Sequence, residues 1–165
     1  MRKPRRLYWR QLSWLWLSLF VVMVDQGTKT LVEQKLHLYE RVEALPFFNI
    51  TLAYNPGAAF SFLAEAGGWQ RWFFTGIALL ATGFILVWLL TKRERAYTLA
   101  GLALVLGGAL GNLWDRLVRG HVVDFLDFHW AGWHYPAFNM ADTAITLGVI
   151  CLLIDMFFSK EAPRE

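Results

Sequence analysis

The sequence predicts a mainly α-helical membrane protein of four transmembrane helices, with a small extracytoplasmic β-sheet and a short lid segment. Three observations carry that prediction. Of the 165 residues, 56% are hydrophobic and 18% charged, against about 45–50% and about 25% in soluble domains. The apolar residues gather into four long runs. Lys and Arg stand at the borders of those runs rather than inside them, the pattern of cytoplasmic loops in membrane proteins.

The first run covers residues 11–24 and stops at Asp25. The second (72–90) and third (96–114) contain no charge, and the fourth (143–158) holds one acid, Asp155. A spanning helix needs roughly 20 mainly apolar residues. The first and fourth runs reach that length only if Asp25 and Asp142 also lie at membrane depth. The spans are therefore set at about residues 11–28, 70–91, 96–115 and 140–158, with the sheet and lid region at about 29–69, all in a single domain. A basic start before an apolar centre is also the pattern of a secretory signal. Here Val-Val-Met-Val-Asp-Gln offers no small-x-small cleavage site, so the first run reads as an uncleaved span.

Arg2, Lys3, Arg5, Arg6 and Arg10 crowd the N-terminus, Lys92, Arg93 and Arg95 the second connection, and Lys160 and Arg164 the C-terminus. The positive-inside rule places all three clusters in the cytoplasm and the connections 26–71 and 115–139 outside. Because each cluster borders an apolar run, membrane topology accounts for it better than a nucleic-acid-binding arm. Cys151 is the sole cysteine, which excludes a disulfide within the chain, and its apolar setting reads as packing.

In the first outer connection, Ile50, Leu52 and Tyr54 alternate with Thr51 and Ala53, as in a strand with one apolar face. Asn55-Pro56-Gly57 is a turn signal. A small sheet around residues 47–62, resting on the membrane surface, is expected. Gly101, Gly107, Gly108 and Gly111 give the third span a face that permits close helix approach.

Ionisable groups at membrane depth are costly and tend to be functional. Asp25, Asn112, Asp115, Arg116, Asp124, Asn139 and Asp142 all fall at the outer ends of the spans or just beyond, in one layer. Asn112 and Arg116 share a helix face if the third helix reaches that far. Asn139 is placed to cap the fourth helix, with Asp142 in the first turn where the dipole favours an anion. Two close carboxylates share a proton, so one serves as base toward water and the other as acid toward an amide. Other chemistries fit less well. His37, His121, His129 and His134 form no HExxH motif, there is no G-x-S-x-G elbow, and neither metal nor cofactor is expected. Two rival classes are a small four-span transporter with an acidic relay and a noncatalytic assembly protein held by the glycine face.

Asp25-Gln26, Tyr54-Asn55-Pro56-Gly57-Ala58-Ala59-Phe60-Ser61, Gly111-Asn112-Leu113-Trp114-Asp115-Arg116, Val122-Val123-Asp124-Phe125 and Phe138-Asn139-Met140-Ala141-Asp142 stand in an order and spacing that resemble the lipoprotein signal peptidase (signal peptidase II) family. The resemblance covers almost the whole chain. It implies an aspartic endopeptidase of the bacterial inner membrane that cuts diacylglyceryl-modified prolipoproteins just before the lipidated cysteine. It implies Asp124 and Asp142 as the catalytic pair, and Asp25, Asn55, Asn112, Arg116 and Asn139 as the supporting polar shell. Inhibition by the cyclic peptide globomycin, a lid within about residues 58–69, membrane lipid as surroundings and no nucleic-acid partner follow from it too; a monomer is the default. His121 stands where Tyr is frequent in the family, and the stretch 128–135 is rich in Trp and His, a candidate for substrate contacts.

Overall fold

A computed structural model describes residues 7–57 and 68–158. A 3-10 turn (Trp9–Trp14) leads into α1 (Leu15–Lys35), followed by β1 (Arg41–Leu45), β2 (Phe48–Asn55), α2 (Trp69–Thr91), α3 (Ala96–Val118), β3 (Val122–Trp130), β4 (Trp133–His134) and α4 (Met140–Phe158). Four segments, Trp9–Lys35 and the helices α2, α3 and α4, are long and apolar enough to cross a membrane. The strands form one antiparallel sheet in the order β1-β2-β3-β4 at one end of the bundle. The expected lid at 58–69 falls almost wholly outside the described residues, as do residues 58–62 of the expected strand region and most of the terminal basic clusters.

α3 is the inner helix. It packs on α1, α2 and α4, and its glycines set how near they come. A Cβ on Gly108 would overlap the Ala141 carbonyl of α4, and one on Gly107 would lie 2.8 Å from the Ser18 carbonyl of α1. Lipid offers no hydrophobic drive between helices, so backbone proximity and side-chain hydrogen bonds supply the cohesion. Ser18 Oγ, for example, donates to the Ala103 carbonyl at 2.7 Å. Phe20, Leu80, Phe84 and Phe157 point outward instead, an apolar girdle suited to acyl chains.

Both ends of the bundle are closed by polar side chains. Away from the sheet, Gln11 donates to the carbonyls of Leu89 (2.8 Å) and Lys92 (2.6 Å) and accepts from the Glu94 N–H (2.8 Å). It thereby satisfies carbonyls that the end of α2 leaves without helical partners. At the same end Thr98 donates to Asp155, tying α3 to α4. At the sheet end, Val32 of α1 packs with Leu52, Val123 and Phe125, so the sheet is seated on the protruding end of the first helix.

The expected bounds of α4 match those observed, and α2 and α3 differ from expectation by one and three residues at their ends. Two expectations need correction. The first helix does not end near residue 28; it runs on to Lys35, and Lys29, one turn after Asp25, pairs with that acid inside the fold. The connection 115–139 is not simply a loop. It carries β3, which pairs with β2 through Ala53↔Asp124 and Asn49↔Asp127.

Candidate active site

The polar layer assembles where α1, α3, the start of α4 and the centre of the sheet meet. Its deepest member is Lys29, fully buried. Its ammonium donates to Asp25 (2.8 Å), Asp115 (2.7 Å) and Asn112 Oδ1 (3.0 Å), three acceptors for its three protons. Asp115 also accepts from Arg119 at 2.7 Å and from the Val123 N–H at 3.3 Å, which anchors β3 to α3. Gln26 donates to both Asp25 and Asp115 at 3.0 Å.

Asp25 reaches across to α4, where its Oδ1 accepts the Ala141 N–H at 2.9 Å. That N–H is one of the four that every helix start leaves unpaired. Gly111 makes the reach possible, since a Cβ there would lie 2.6 Å from Asp25 Oδ2. The rest of the α4 start is a reciprocal cap. Asn139 Oδ1 accepts the Asp142 N–H (2.9 Å) while Asp142 Oδ2 accepts the Asn139 N–H (3.2 Å).

The same two residues connect to Asp124. Asn139 Nδ2 donates to Asp124 Oδ1 at 2.7 Å, and Asn55 Nδ2 donates to Asp124 Oδ2 at 3.1 Å. Asn55 is held in turn by the Gly57 N–H on its Oδ1 (2.9 Å). Asn112 Nδ2 donates to Asp142 Oδ1 at 2.8 Å. Because Asn112 Oδ1 already accepts from Lys29 and from Asn139 (3.2 Å), its amide has one orientation that satisfies every partner. Asp124 and Asp142 thus share Asn139 as a common partner, and among the described residues neither has an ion pair. Burial, and then the neighbouring Asp142 charge, push Asp124 up to about 7 despite its two amide donors.

Arg116 extends along α3 on the same face as Asn112, donates to the Asn112 carbonyl at 3.2 Å and lies 5.4 Å from the Phe74 ring centre. Its Nε is buried and has no partner among the described residues. His121 stacks on Tyr54 with ring centres 3.9 Å apart; burial lowers its pKa, so the imidazole is neutral near pH 7. Among the described residues no three His, Cys, Asp or Glu side chains are grouped to hold a metal.

Every candidate from the sequence, Asp25, Asn55, Asn112, Arg116, Asp124, Asn139 and Asp142, lies in this one network. Lys29, Gln26 and Arg119 were not anticipated, and Asp115 had been given no role. The signal for them was present as Asp25/Lys29 and Asp115/Arg119, two acid–base pairs four residues apart, readable only once both helices are extended past their apolar runs.

With that geometry in view, the chain matches over residues 17–158 the family model described as Signal peptidase (SPase) II. It is 51% identical to the lipoprotein signal peptidase of Ectopseudomonas mendocina (strain ymp), with 98% of each chain covered. It is 50% identical to that of Pseudomonas aeruginosa (strain UCBPP-PA14), with 92% of each covered. Its backbone superposes on a solved bacterial membrane enzyme at 2.3 Å resolution, with a TM-score of 0.79, 30% identity, and 99% of this chain and 100% of the other covered.

Proposed function

The chain belongs to the signal peptidase II family, and from that premise we propose that it removes the signal peptide from diacylglyceryl-modified prolipoproteins, cutting just before the lipidated cysteine with Asp124 and Asp142. The observation that carries the site assignment is the pair itself. Two carboxylates share Asn139, are held by amide donors, and have no ion pair among the described residues, so one proton can be shared between them.

In this mechanism Asp142, at the helix start, takes a proton from water, and the resulting hydroxide attacks the scissile carbonyl. Asp124 holds its proton, consistent with its raised pKa, and delivers it to the leaving nitrogen. The signal peptide gains a carboxylic acid, which releases its proton to solvent, and the lipidated cysteine gains an amino group. The dyad ends with one proton, as it began, now on Asp142. The Arg116 guanidinium, on the same α3 face as Asn112, is suited to orient the substrate carbonyl or a lipid ester. The Lys29 cluster fixes the amide of Asn112, and with it Asp142.

The basic residues between α2 and α3 support a cytoplasmic location for that end and an extracytoplasmic location for the sheet, in the inner membrane. A diacylglyceryl anchor holds the scissile bond at that outer surface. Action as a monomer and inhibition by globomycin belong to the same reading. The test is cleavage of a diacylglyceryl-modified prolipoprotein by the purified protein in detergent. Wild type is expected to cut before the lipidated cysteine and to be blocked by globomycin, while Asp124→Asn and Asp142→Asn do not cut. Wild-type activity in either variant overturns the dyad.

A further inference from the structure

Outside the dyad, one carboxylate draws a partner from each of the other strands. Asp127 on β3 lies 2.8 Å from His134 Nδ1 on β4, 3.1 Å from Asn49 Nδ2 on β2 and 3.5 Å from Arg41 Nε on β1. Burial alone would raise this acid; the hydrogen bonds from His134 and Asn49 outweigh it and hold Asp127 below the usual carboxylate range. The cluster forms one wall of a groove of about 620 Å³ that runs to Asp124 and is also lined by Tyr39, Tyr54 and Tyr135. Clefts of roughly 300–1,000 Å³ are the size that holds drug-sized ligands, comparable to a few residues of chain.

The groove mixes apolar and polar lining. The Arg41 side chain is 59% exposed and His134 34% exposed, so Arg41 keeps N–H donors and His134 its second ring nitrogen for a visitor. Tyr39 is mostly exposed and stands in a left-handed conformation, φ 66°, which is costly for a residue of its size. An exposed aromatic held at such a backbone angle beside a site is a reason to look for function there.

A lipoprotein precursor brings three parts to the cut: an apolar signal segment, acyl chains, and the polar chain that follows the cysteine. The first two belong against the helices and the bilayer. Resting on the peptidase reading, we infer that the groove seats the first residues after the cleaved bond in extended form, with Tyr39, Arg41 and His134 as the contacting side chains. These residues then determine how strongly the enzyme favours a substrate with a mature segment over one without.

The test uses two diacylglyceryl-modified substrates, one ending at an amidated lipidated cysteine and one continuing through several mature residues. Wild type is expected to show the higher kcat/KM on the longer one. Arg41→Ala and His134→Gln should lose roughly tenfold more on the long substrate than on the short, in KM, the worth of one charge-assisted hydrogen bond. Tyr39→Gly is the control for folding, because glycine adopts φ 66° readily; it should fold no worse and still lose preference for the long substrate. Equal kcat/KM for both substrates in wild type, or equal losses on both in all three variants, overturns the groove while leaving the peptidase reading intact. If neither substrate is cut, the peptidase reading falls and the groove with it.

Discussion

Two pairs of aspartates lie within one network, and the fold treats them in opposite ways. Asp25 and Asp115 are fully buried and clamp Lys29 between them, with Arg119 completing Asp115. Asp124 and Asp142 receive amides only. A buried charge that is paired and fully hydrogen-bonded is inert, since any proton movement breaks the set. A pair held by neutral donors retains a proton that can move. Both arrangements use the same residue type in adjoining shells, and the cation separates the scaffold from the chemistry.

The comparison breaks first if charge removal has the same result in both pairs. Asp124→Asn or Asp142→Asn is expected to lower cleavage by about 10³-fold or more, in line with the loss of a general acid or base, with the folded fraction in detergent unchanged. Lys29→Met should act first on stability. Leaving two buried acids without their cation costs about 3–5 kcal/mol, read by denaturant unfolding, and adding Asp25→Asn and Asp115→Asn should recover much of that. Retention of full stability in Lys29→Met would erase the distinction.

The pH dependence sharpens the contrast. Asp124 titrates at about 7 in the folded chain against 3.8 ordinarily. Between those values the folded state binds the proton that the unfolded state has released, so stability falls as pH rises through that window. Asp124→Asn should flatten this slope, and wild-type activity should decline as pH passes about 7 and the acid is lost. A wild-type pH profile still rising there would reassign the proton. The smallest effect is expected at the rim of the scaffold. Glu33, partly exposed beside Arg119, should cost no more than about 1 kcal/mol as Glu33→Gln.

Much of this was legible in the sequence, and the exceptions have physical causes. The spans are written in apolar runs, and the start of α4 in the Asn139/Asp142 spacing, so helices and cap were readable together. α1 was cut short because Lys29, Glu33 and Lys35 end its apolar run, although the backbone helix continues above the membrane-like stretch. β3 was missed because its partner strand lies some 70 residues earlier, and no local pattern announces such a pairing. Candidate site residues could be named from their cost at membrane depth. Lys29 escaped because a lysine just past an apolar run looks like a solvated border, and only the tertiary fold makes it the most buried cation.

The amide of Gln11 bears on how the chain is assembled. It closes the end of α2 on the Leu89 carbonyl, 78 residues further along the chain. Synthesis makes Gln11 before the last turn of α2, so the donor precedes the carbonyl that it caps. Gln11→Leu should therefore delay insertion of the α2–α3 hairpin, seen as slower protease protection in pulse-labelled chains, while a protein that has completed folding keeps its site. The order in which the residues are made is thus part of the architecture: the first span waits with the donors that the second will need.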